Sequence, residues 1–225
     1  MLHEGLGSVA MWKDVPRGLA ARTGRDVVAY SRRGYGRSEP IDGPRAMTYM
    51  HREGEVVLPA LLAALEIPRA ILFGHSDGAS IALICAGTHP QLAAALILQA
   101  PHVFVEDLSV ESIAAARAAW QASDLRVKLA RYHDDVEGAF RGWNDAWLDP
   151  RFRDWNIEAY ADGVRCPVLV VQGDADEYGS IAQVDRIAAR IARSEIFLVP
   201  AAGHSPHRDA AAAVLERIAA FTAAV

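Results

Sequence analysis

Short, almost continuously apolar runs alternate with longer stretches of helical periodicity along most of the chain. Runs of this length are typical of parallel strands that are buried on both faces of a sheet. They predict strands at Val27–Tyr30, Ala70–Phe73, Ala95–Gln99, Val168–Gln172 and Ile196–Val199. The periodic stretches predict helices at Arg52–Leu65, Ala79–Thr88, Ile181–Ala192 and Ala210–Ala223. The pattern therefore predicts an α/β fold, a mostly parallel sheet with helices on both faces.

The stretch between Gln99 and Val168 interrupts this alternation because it contains no strand pattern. Its periodicity predicts helices at Val110–Ala122, Arg126–His133, Val136–Leu148 and Arg151–Tyr160. An unstructured loop of that length is uncommon inside a compact domain. We therefore expect a helical subdomain at residues 101–165, inserted into an α/β core that is formed by residues 1–100 and 166–225.

The composition narrows the class of protein. The 225 residues are 52% hydrophobic, which is enough for a substantial core and excludes a disordered chain. The 23 Lys and Arg against 28 Asp and Glu give a net charge of −5, without the basic character of a nucleic-acid binder. Cys85 and Cys166 are too few for a disulfide framework and suggest no zinc site. Because we find no secretion signal and no apolar run long enough to span a bilayer, we expect a cytoplasmic protein.

The clearest chemical motif is the sequence GHSDG at residues 74–78, between a predicted strand and a predicted helix. A serine on such a tight turn has strained backbone angles, so small residues are needed two positions before and two after it. The helix N-terminus directs N–H groups and a positive dipole end at negative charge that develops there. The motif therefore predicts that Ser76 is a nucleophile, with His75 packed beneath the turn. The alternative is a glycine-rich turn that only links a strand to a helix.

A serine nucleophile needs a base, and the base needs a carboxylate that orients it. The predicted strand at Val168–Gln172 is followed by the turn GDAD, which holds Asp174 and Asp176. After the next strand comes the sequence AGHSPH, which holds His204 and His207. The order along the chain is serine, aspartate, histidine, and this order is typical of one particular hydrolase fold.

These motifs, in this order, resemble the α/β-hydrolase superfamily, and within it the cap-bearing bacterial serine esterases and related hydrolases. The resemblance covers essentially the whole chain and includes YSRRGYGRS at residues 30–38, which is similar to the arginine–glycine turn of the family. In the family the acid usually lies three residues after the glycine of its turn, which favours Asp176 over Asp174. The resemblance implies a catalytic triad of Ser76, Asp176 and His204, and it identifies the helical insertion as a cap.

The resemblance also implies an oxyanion hole. One donor is the backbone N–H of Asp77, directly after the nucleophile. The loop HEGLGS at residues 3–8 is similar to the histidine–glycine loop of the family and makes Gly5 the second donor. Glu4 stands where glycine is usual, and its carboxylate opposes negative charge there unless it points away or pairs with an arginine. The family also has a central strand directly before this loop and two more strands upstream of it, whereas only Met1 and Leu2 precede His3 here, so the resemblance implies that these N-terminal strands are missing from the sheet. We therefore expect either a start upstream of Met1, which we favour, or a sheet that has rearranged to close the gap.

Aromatic residues of the expected cap are candidates for lining a substrate pocket. Trp143 and Trp147 lie one helical turn apart and form a stripe that fits either the core of the cap or a pocket wall. Tyr132 and His133 are weaker candidates of the same kind. His207 is a less favoured alternative to His204 as the base, and a structural role in its loop is the expectation.

We therefore expect a serine hydrolase that cleaves a small or medium carboxylic ester through an acyl-enzyme intermediate, without a metal or a cofactor. In the family the same triad also serves C–C bond hydrolases, thioesterases, lactonases and cofactor-free perhydrolases, and some members are ligand receptors that do not turn over. The expected partner is a small ester-like molecule, with no nucleic acid and no membrane. Association into a homo-oligomer stays open.

Overall fold

The computed structural model describes residues 1–225 and contains a sheet of four parallel strands. The strands lie side by side in chain order and are β1 (Ala70–His75), β2 (Ala93–Gln99), β3 (Val168–Gly173) and β4 (Ser194–Val199). Helices lie between consecutive strands, as the connection of parallel neighbours requires. The predicted α/β fold with a parallel sheet is confirmed.

The α-helices vary in length from a single turn to more than four turns. In chain order they are α1 (Val15–Thr23), α2 (Tyr49–Arg52), α3 (Leu58–Ala64), α4 (Asp77–Thr88), α5 (Asp107–Ala122), α6 (Leu125–Leu129), α7 (Val136–Leu148), α8 (Ile181–Arg190), α9 (Pro206–Asp209) and α10 (Ala211–Thr222). Helices α5, α6 and α7 all lie between β2 and β3. None of the helices combines the length and the apolar character that crossing a bilayer requires.

Two hydrophobic clusters cover the two faces of the sheet because alternate strand residues point to opposite sides. One cluster contains Leu72 and Leu96 and joins the sheet to α4 and to the aromatic residues of α7. The other contains Phe73 and Ile97 and joins the sheet to α1 and α10. The aromatic side chains of the insertion therefore belong to the same cluster as one face of the sheet.

Several predicted helices differ from the structure. The helix predicted at Arg52–Leu65 is interrupted by a π-helical turn at Glu53–Val57, because Pro59 lacks the N–H for a regular helical bond. The helix predicted at Arg126–His133 is reduced to the short α6. The helix predicted at Arg151–Tyr160 is wrong, since this part of the chain contains only 3₁₀ turns, at Pro150–Phe152 and Glu158–Gly163.

The strand predicted at Val27–Tyr30 is also wrong, because only Tyr30 pairs, in a single bridge with Leu2. Leu2 forms a second bridge with Gly74 near the end of β1 and therefore lies between the two segments. Next to Leu2 a cavity of about 660 Å³, lined mainly by apolar side chains, separates residues 27–30 from the outer edge of β1. The sheet has thus not rearranged to close the gap, and residues 27–29 have no neighbouring strand with which to pair.

Candidate active site

The candidate nucleophile lies at the junction of β1 and α4. Ser76 has a φ of 54°, a left-handed conformation that residues other than glycine rarely adopt. A Cβ atom on Gly74 would lie 2.2 Å from the carbonyl oxygen of Gly78, and one on Gly78 would lie 2.2 Å from that of Leu2. Both glycines are therefore required by close backbone approaches. Strain of this kind persists only where the surrounding structure enforces it, and it is frequent at functional sites.

The candidate acid and base come from the turns that follow β3 and β4. His204 Nδ1 lies 2.9 Å from Asp176 Oδ1 and 3.0 Å from Oδ2. Asp176 also accepts hydrogen bonds from the Gln172 side chain and the Tyr178 N–H, and its side chain is 1% exposed. Burial acts to raise the pKa of Asp176, but the hydrogen bond and the charge of His204 outweigh it and lower the pKa. Asp176 is therefore held ionised against the ring of His204.

The two residues kept as alternatives have other partners. Asp174 is exposed and accepts a hydrogen bond from a backbone N–H in the turn after β4, at 2.7 Å. His207 Nδ1 pairs with the side-chain amide of Gln99 at 2.6 Å, and burial lowers the pKa of His207 to about 2. Neither residue forms a hydrogen bond with the side chain of His204, whose partner is Asp176.

The residue that precedes the candidate nucleophile contacts His204. The ring of His204 packs 5.2 Å from the ring of His75, measured between centroids. Ser76 is 6% exposed and the His204 side chain 13% exposed, so both are reached from solvent only narrowly. The structure contains no hydrogen bond between Ser76 Oγ and His204 Nε2. Hydrogen bonds of this type are often long before a substrate binds, so the arrangement is compatible with a nucleophile and its base.

The loop at residues 3–8 packs against the start of α4. Asp77 is the first residue of α4, so its N–H has no acceptor within the helix. The N–H of Gly5 also forms no hydrogen bond. Arg32 holds the loop from the interior, since its guanidinium donates to the carbonyl oxygens of His3 and Glu4. Both predicted oxyanion donors are therefore free to bind an anion.

The carboxylate of Glu4 is paired on both oxygens. Oε1 lies 3.1 Å from Nη2 of Arg208, and Oε2 lies 3.4 Å from Nδ1 of His75. Burial acts to raise the pKa of Glu4, but the interaction with His75, together with the charge of Arg208, holds the pKa well below its ordinary value. Glu4 is therefore paired with an arginine, Arg208, as its position beside the candidate oxyanion hole requires.

The side chain of Asp77 points into the protein and is 0% exposed. It accepts hydrogen bonds from the Tyr49 hydroxyl and, at 3.2 Å, from the indole N–H of Trp147, while the Arg32 guanidinium lies 3.9 Å away. Trp147 is thus part of a buried polar network beneath the turn at Ser76. This placement favours the core role of Trp147 over the role of a pocket wall.

The other pocket candidates occupy different places. A Cβ atom on Gly5 would lie 2.2 Å from the indole ring of Trp143, so Trp143 lies directly against the candidate oxyanion donor. Tyr132 instead lines a polar cavity of about 490 Å³ that contains none of the three triad candidates. His133 lines the same cavity, and its Nε2 donates to the carbonyl oxygen of Leu6 at 2.9 Å, which supports the loop. Trp143 is therefore the pocket candidate that the structure places at the oxyanion loop.

His102 lies beside the candidate base and was not predicted from the sequence. This residue follows β2, and its ring packs 5.6 Å from the ring of His204 and 5.1 Å from that of Trp147. Its Nδ1 is buried without a partner, and burial, together with the charge of His204, lowers the pKa of His102 to about 3. The available signal was its position just beyond the carboxyl end of an inner parallel strand, where α/β sheets bind their ligands.

Comparison with known proteins identifies the family. Residues 1–217 match the sequence profile of the alpha/beta hydrolase family, so the chain belongs to that family. The human serine hydrolase BPHL is 27% identical over 189 residues, which are 80% of this chain. The matched region covers 64% of the human protein, so the chain spans less than two thirds of the length of that relative.

Solved structures share the fold. The enol-lactonase from Burkholderia xenovorans LB400 superposes with a TM-score of 0.77 and 22% identity, covering 99% of this chain and 89% of that protein. A thermophilic esterase from Thermogutta terrifontis superposes with a TM-score of 0.67 and 19% identity, covering 93% of this chain and 85% of that protein. At these identities the likeness shows a common fold and leaves the substrate open.

Proposed function

We propose that this chain is a serine hydrolase that cleaves a small or medium carboxylic ester through an acyl-enzyme intermediate. The observation that carries the proposal is the hydrogen-bonded pair of Asp176 and His204, at 2.9 Å, beside the strained turn of Ser76. The family supports it, as do relatives that are named as a serine hydrolase and as an esterase. The proposed reaction needs no metal and no cofactor.

In the proposed reaction Ser76 Oγ attacks the ester carbonyl carbon while His204 Nε2 takes its proton. Asp176, whose pKa is lowered, holds the Nδ1 N–H and stabilises the imidazolium that forms. His204 then gives the proton to the leaving alcohol, and the acyl group remains on Ser76. A water molecule activated by His204 attacks the acyl-enzyme, which releases the carboxylic acid and restores the serine.

In this proposal the N–H groups of Asp77 and Gly5 donate hydrogen bonds to the carbonyl oxygen and stabilise the negative charge that develops on it. Both groups lack protein acceptors, and the first belongs to the N-terminus of α4, where the helix dipole favours an anion. Loss of one such donor typically costs a factor of ~10²–10³ in rate. Because Glu4 is paired with His75 and Arg208, its charge is largely balanced close to this site.

The same catalytic groups can attack other carbonyl compounds. The alternative activities are therefore hydrolysis of a lactone, a thioester or a C–C bond next to a carbonyl group, and perhydrolysis. A lactone is of interest because one structural neighbour is named an enol-lactonase. A ligand receptor that retains the triad is the alternative outside the enzymes. Such a receptor releases about one equivalent of product per protein, whereas an enzyme releases many.

We place this activity in the cytoplasm, with a small molecule as the partner. Cys85 and Cys166 are both free and buried, which suits a reducing compartment. A cell fractionation experiment with a tagged chain tests this location, and recovery outside the cytoplasm contradicts it.

The test of the proposed function is hydrolysis of p-nitrophenyl acetate and butyrate by the wild type, Ser76→Ala and Asp176→Asn. We expect repeated turnover by the wild type, none above background for S76A, and a kcat about 10⁴-fold lower for D176N. Asp174→Asn is the matched control in the same turn and should keep wild-type activity. Equal rates for the wild type and S76A contradict the assignment, and a folded but inactive wild type excludes a general esterase. Stoichiometric release followed by arrest indicates a receptor.

A further inference from the structure

His75 connects the candidate nucleophile to the loop that carries the candidate base. It directly precedes Ser76, and its Nε2 lies 2.7 Å from the backbone carbonyl oxygen of His204. Its ring packs against the rings of His204 and His207, with centroids 5.2 Å and 4.9 Å away. The side chain is 1% exposed, so no solvent competes for these contacts.

The two ring nitrogens of His75 face different chemical groups. A carbonyl oxygen can only accept, so Nε2 of His75 must be protonated to bind His204. Nδ1 faces a carboxylate oxygen of Glu4 at 3.4 Å, and this contact is attractive only if the carboxylate or Nδ1 carries a proton. Arg208, at 3.1 Å from the other oxygen, stabilises the ionised carboxylate. His75 therefore donates through Nε2 to the carbonyl oxygen of His204, while its Nδ1 lies against the Glu4 carboxylate without forming a hydrogen bond.

The conformation of the first loop makes this contact possible. A Cβ atom on Gly7 would lie 2.3 Å from Oε2 of Glu4, so the glycine leaves the space in which the carboxylate turns back towards His75. Glu4 directly precedes Gly5, the candidate oxyanion donor. The Glu4–His75 contact and the hydrogen bond from His75 to His204 therefore connect three backbone segments, those that carry the candidate donor, nucleophile and base.

We propose that His75, with the carboxylate of Glu4 against its ring, positions His204 relative to Ser76. This inference rests on the proposed function, and it assigns both residues as positioning residues that act through the His204 carbonyl. The hydrogen bond from His75 holds the loop at residues 203–205 against the turn at Ser76. The Glu4 carboxylate contacts the other side of the His75 ring, and Arg208 binds the second oxygen of Glu4.

The first test compares kcat and KM for His75→Phe, His75→Gln and Glu4→Gln on p-nitrophenyl butyrate. H75F removes the donor to His204, and we expect kcat to fall about 10- to 100-fold with little change in KM, because small misplacements are that costly. H75Q offers an amide N–H close to the same position and should recover part of this loss. E4Q should lose less, and the double variant E4Q/H75Q should be no slower than H75Q, because the two residues act as one unit.

The matched control is His89→Gln. His89 also pairs through Nε2 with a backbone carbonyl, that of Glu55 at 2.8 Å, but it lies outside the candidate site. We expect H89Q to keep the wild-type kcat. Wild-type kcat values in both H75F and E4Q overturn the proposal. Equal losses in H75F and H75Q that simply follow their melting temperatures overturn it too, because they indicate a role in stability alone.

A second measurement separates this inference from the proposed function, since it needs no turnover. Amide hydrogen exchange by mass spectrometry reports on the loop at residues 203–205, where the N–H groups of Gly203 and His204 bond to Asp209 and Glu177. We expect exchange in this loop to accelerate about tenfold or more in H75F and to stay at the wild-type rate in H89Q. If the wild type hydrolyses no ester, the proposed function fails while this exchange still decides the positioning role. Unchanged exchange in H75F overturns that role.

Discussion

At the residue scale, Asp77 uses its backbone and its side chain for different purposes. A carboxylate next to the nucleophile would oppose the negative charge of the reaction if it faced the substrate. Here it points into the interior, where Tyr49 and Trp147 donate to it and Arg32 lies 3.9 Å away. The backbone N–H of Asp77 stays at the start of α4. The side chain of Asp77 therefore supports the turn at Ser76 from the interior.

Asp77→Asn should lower the free energy of unfolding by about 3 kcal/mol. The substitution preserves the shape of the side chain but leaves the fully buried guanidinium of Arg32 without its carboxylate, and a broken buried pair typically costs that amount. Urea denaturation of D77N and the wild type measures the difference. Asp174→Asn, at an exposed carboxylate, is the control and should stay within about 0.5 kcal/mol of the wild type. A loss below about 1 kcal/mol in D77N contradicts the prediction.

At the scale of elements, the outer edge of β1 is unpaired over most of its length. His75 N–H donates to Leu2 at 3.0 Å, and the carbonyl oxygen of Phe73 accepts from Leu2 at 2.8 Å. Because a strand residue directs its N–H and carbonyl to one side and the next residue to the other, Ile71 and Phe73 face this edge. Beyond Leu2 the edge borders the apolar cavity, so their N–H groups have no strand partner.

Hydrogen exchange measured by NMR should therefore alternate along β1. We expect the amides of Ile71 and Phe73 to exchange at least about tenfold faster than those of Leu72 and Gly74, which face β2. The comparison is internal, since all four amides lie in one strand and share its global stability. Equal protection of all four amides means that the edge is covered in solution and contradicts an open edge.

Sequence reasoning succeeded where the determining interactions are local. The apolar runs of β1 to β4 and the glycines around Ser76 carry their conformation in their own residues. The prediction of a strand at Val27–Tyr30 failed because a strand forms only against a neighbour, and the apolar run was interpreted from its own residues alone. His102 was missed because its proximity to His204 depends on how the ends of β2 and β4 meet, which is set by sheet order. Trp147 was ambiguous, since a helical stripe does not show what it faces.

At the scale of the whole molecule, five of the eight histidine side chains are buried. His3, His75, His102, His133 and His207 are all buried, and several lie in mutual contact around the candidate site. Burial is the largest cause that lowers the pKa of His102, to about 3, and that of His207, to about 2. These two rings are neutral in the native state at any pH above that range.

This burial predicts a steep loss of stability in mild acid. Both histidines have native pKa values below the value of about 6.5 of an unfolded chain, so between about pH 6.5 and pH 3 the unfolded state binds more protons. Stability therefore falls as the pH decreases through this window, by on the order of 1 kcal/mol per pH unit for each histidine. Urea denaturation at pH 7, 6, 5 and 4.5 measures the slope. His207→Gln keeps an amide that can pair with Gln99 but cannot titrate, so its slope should be shallower than the wild-type slope by about one proton. Identical slopes for the two proteins would mean that His207 binds no additional proton on unfolding in this range, and that it does not contribute to the acid limit of the fold.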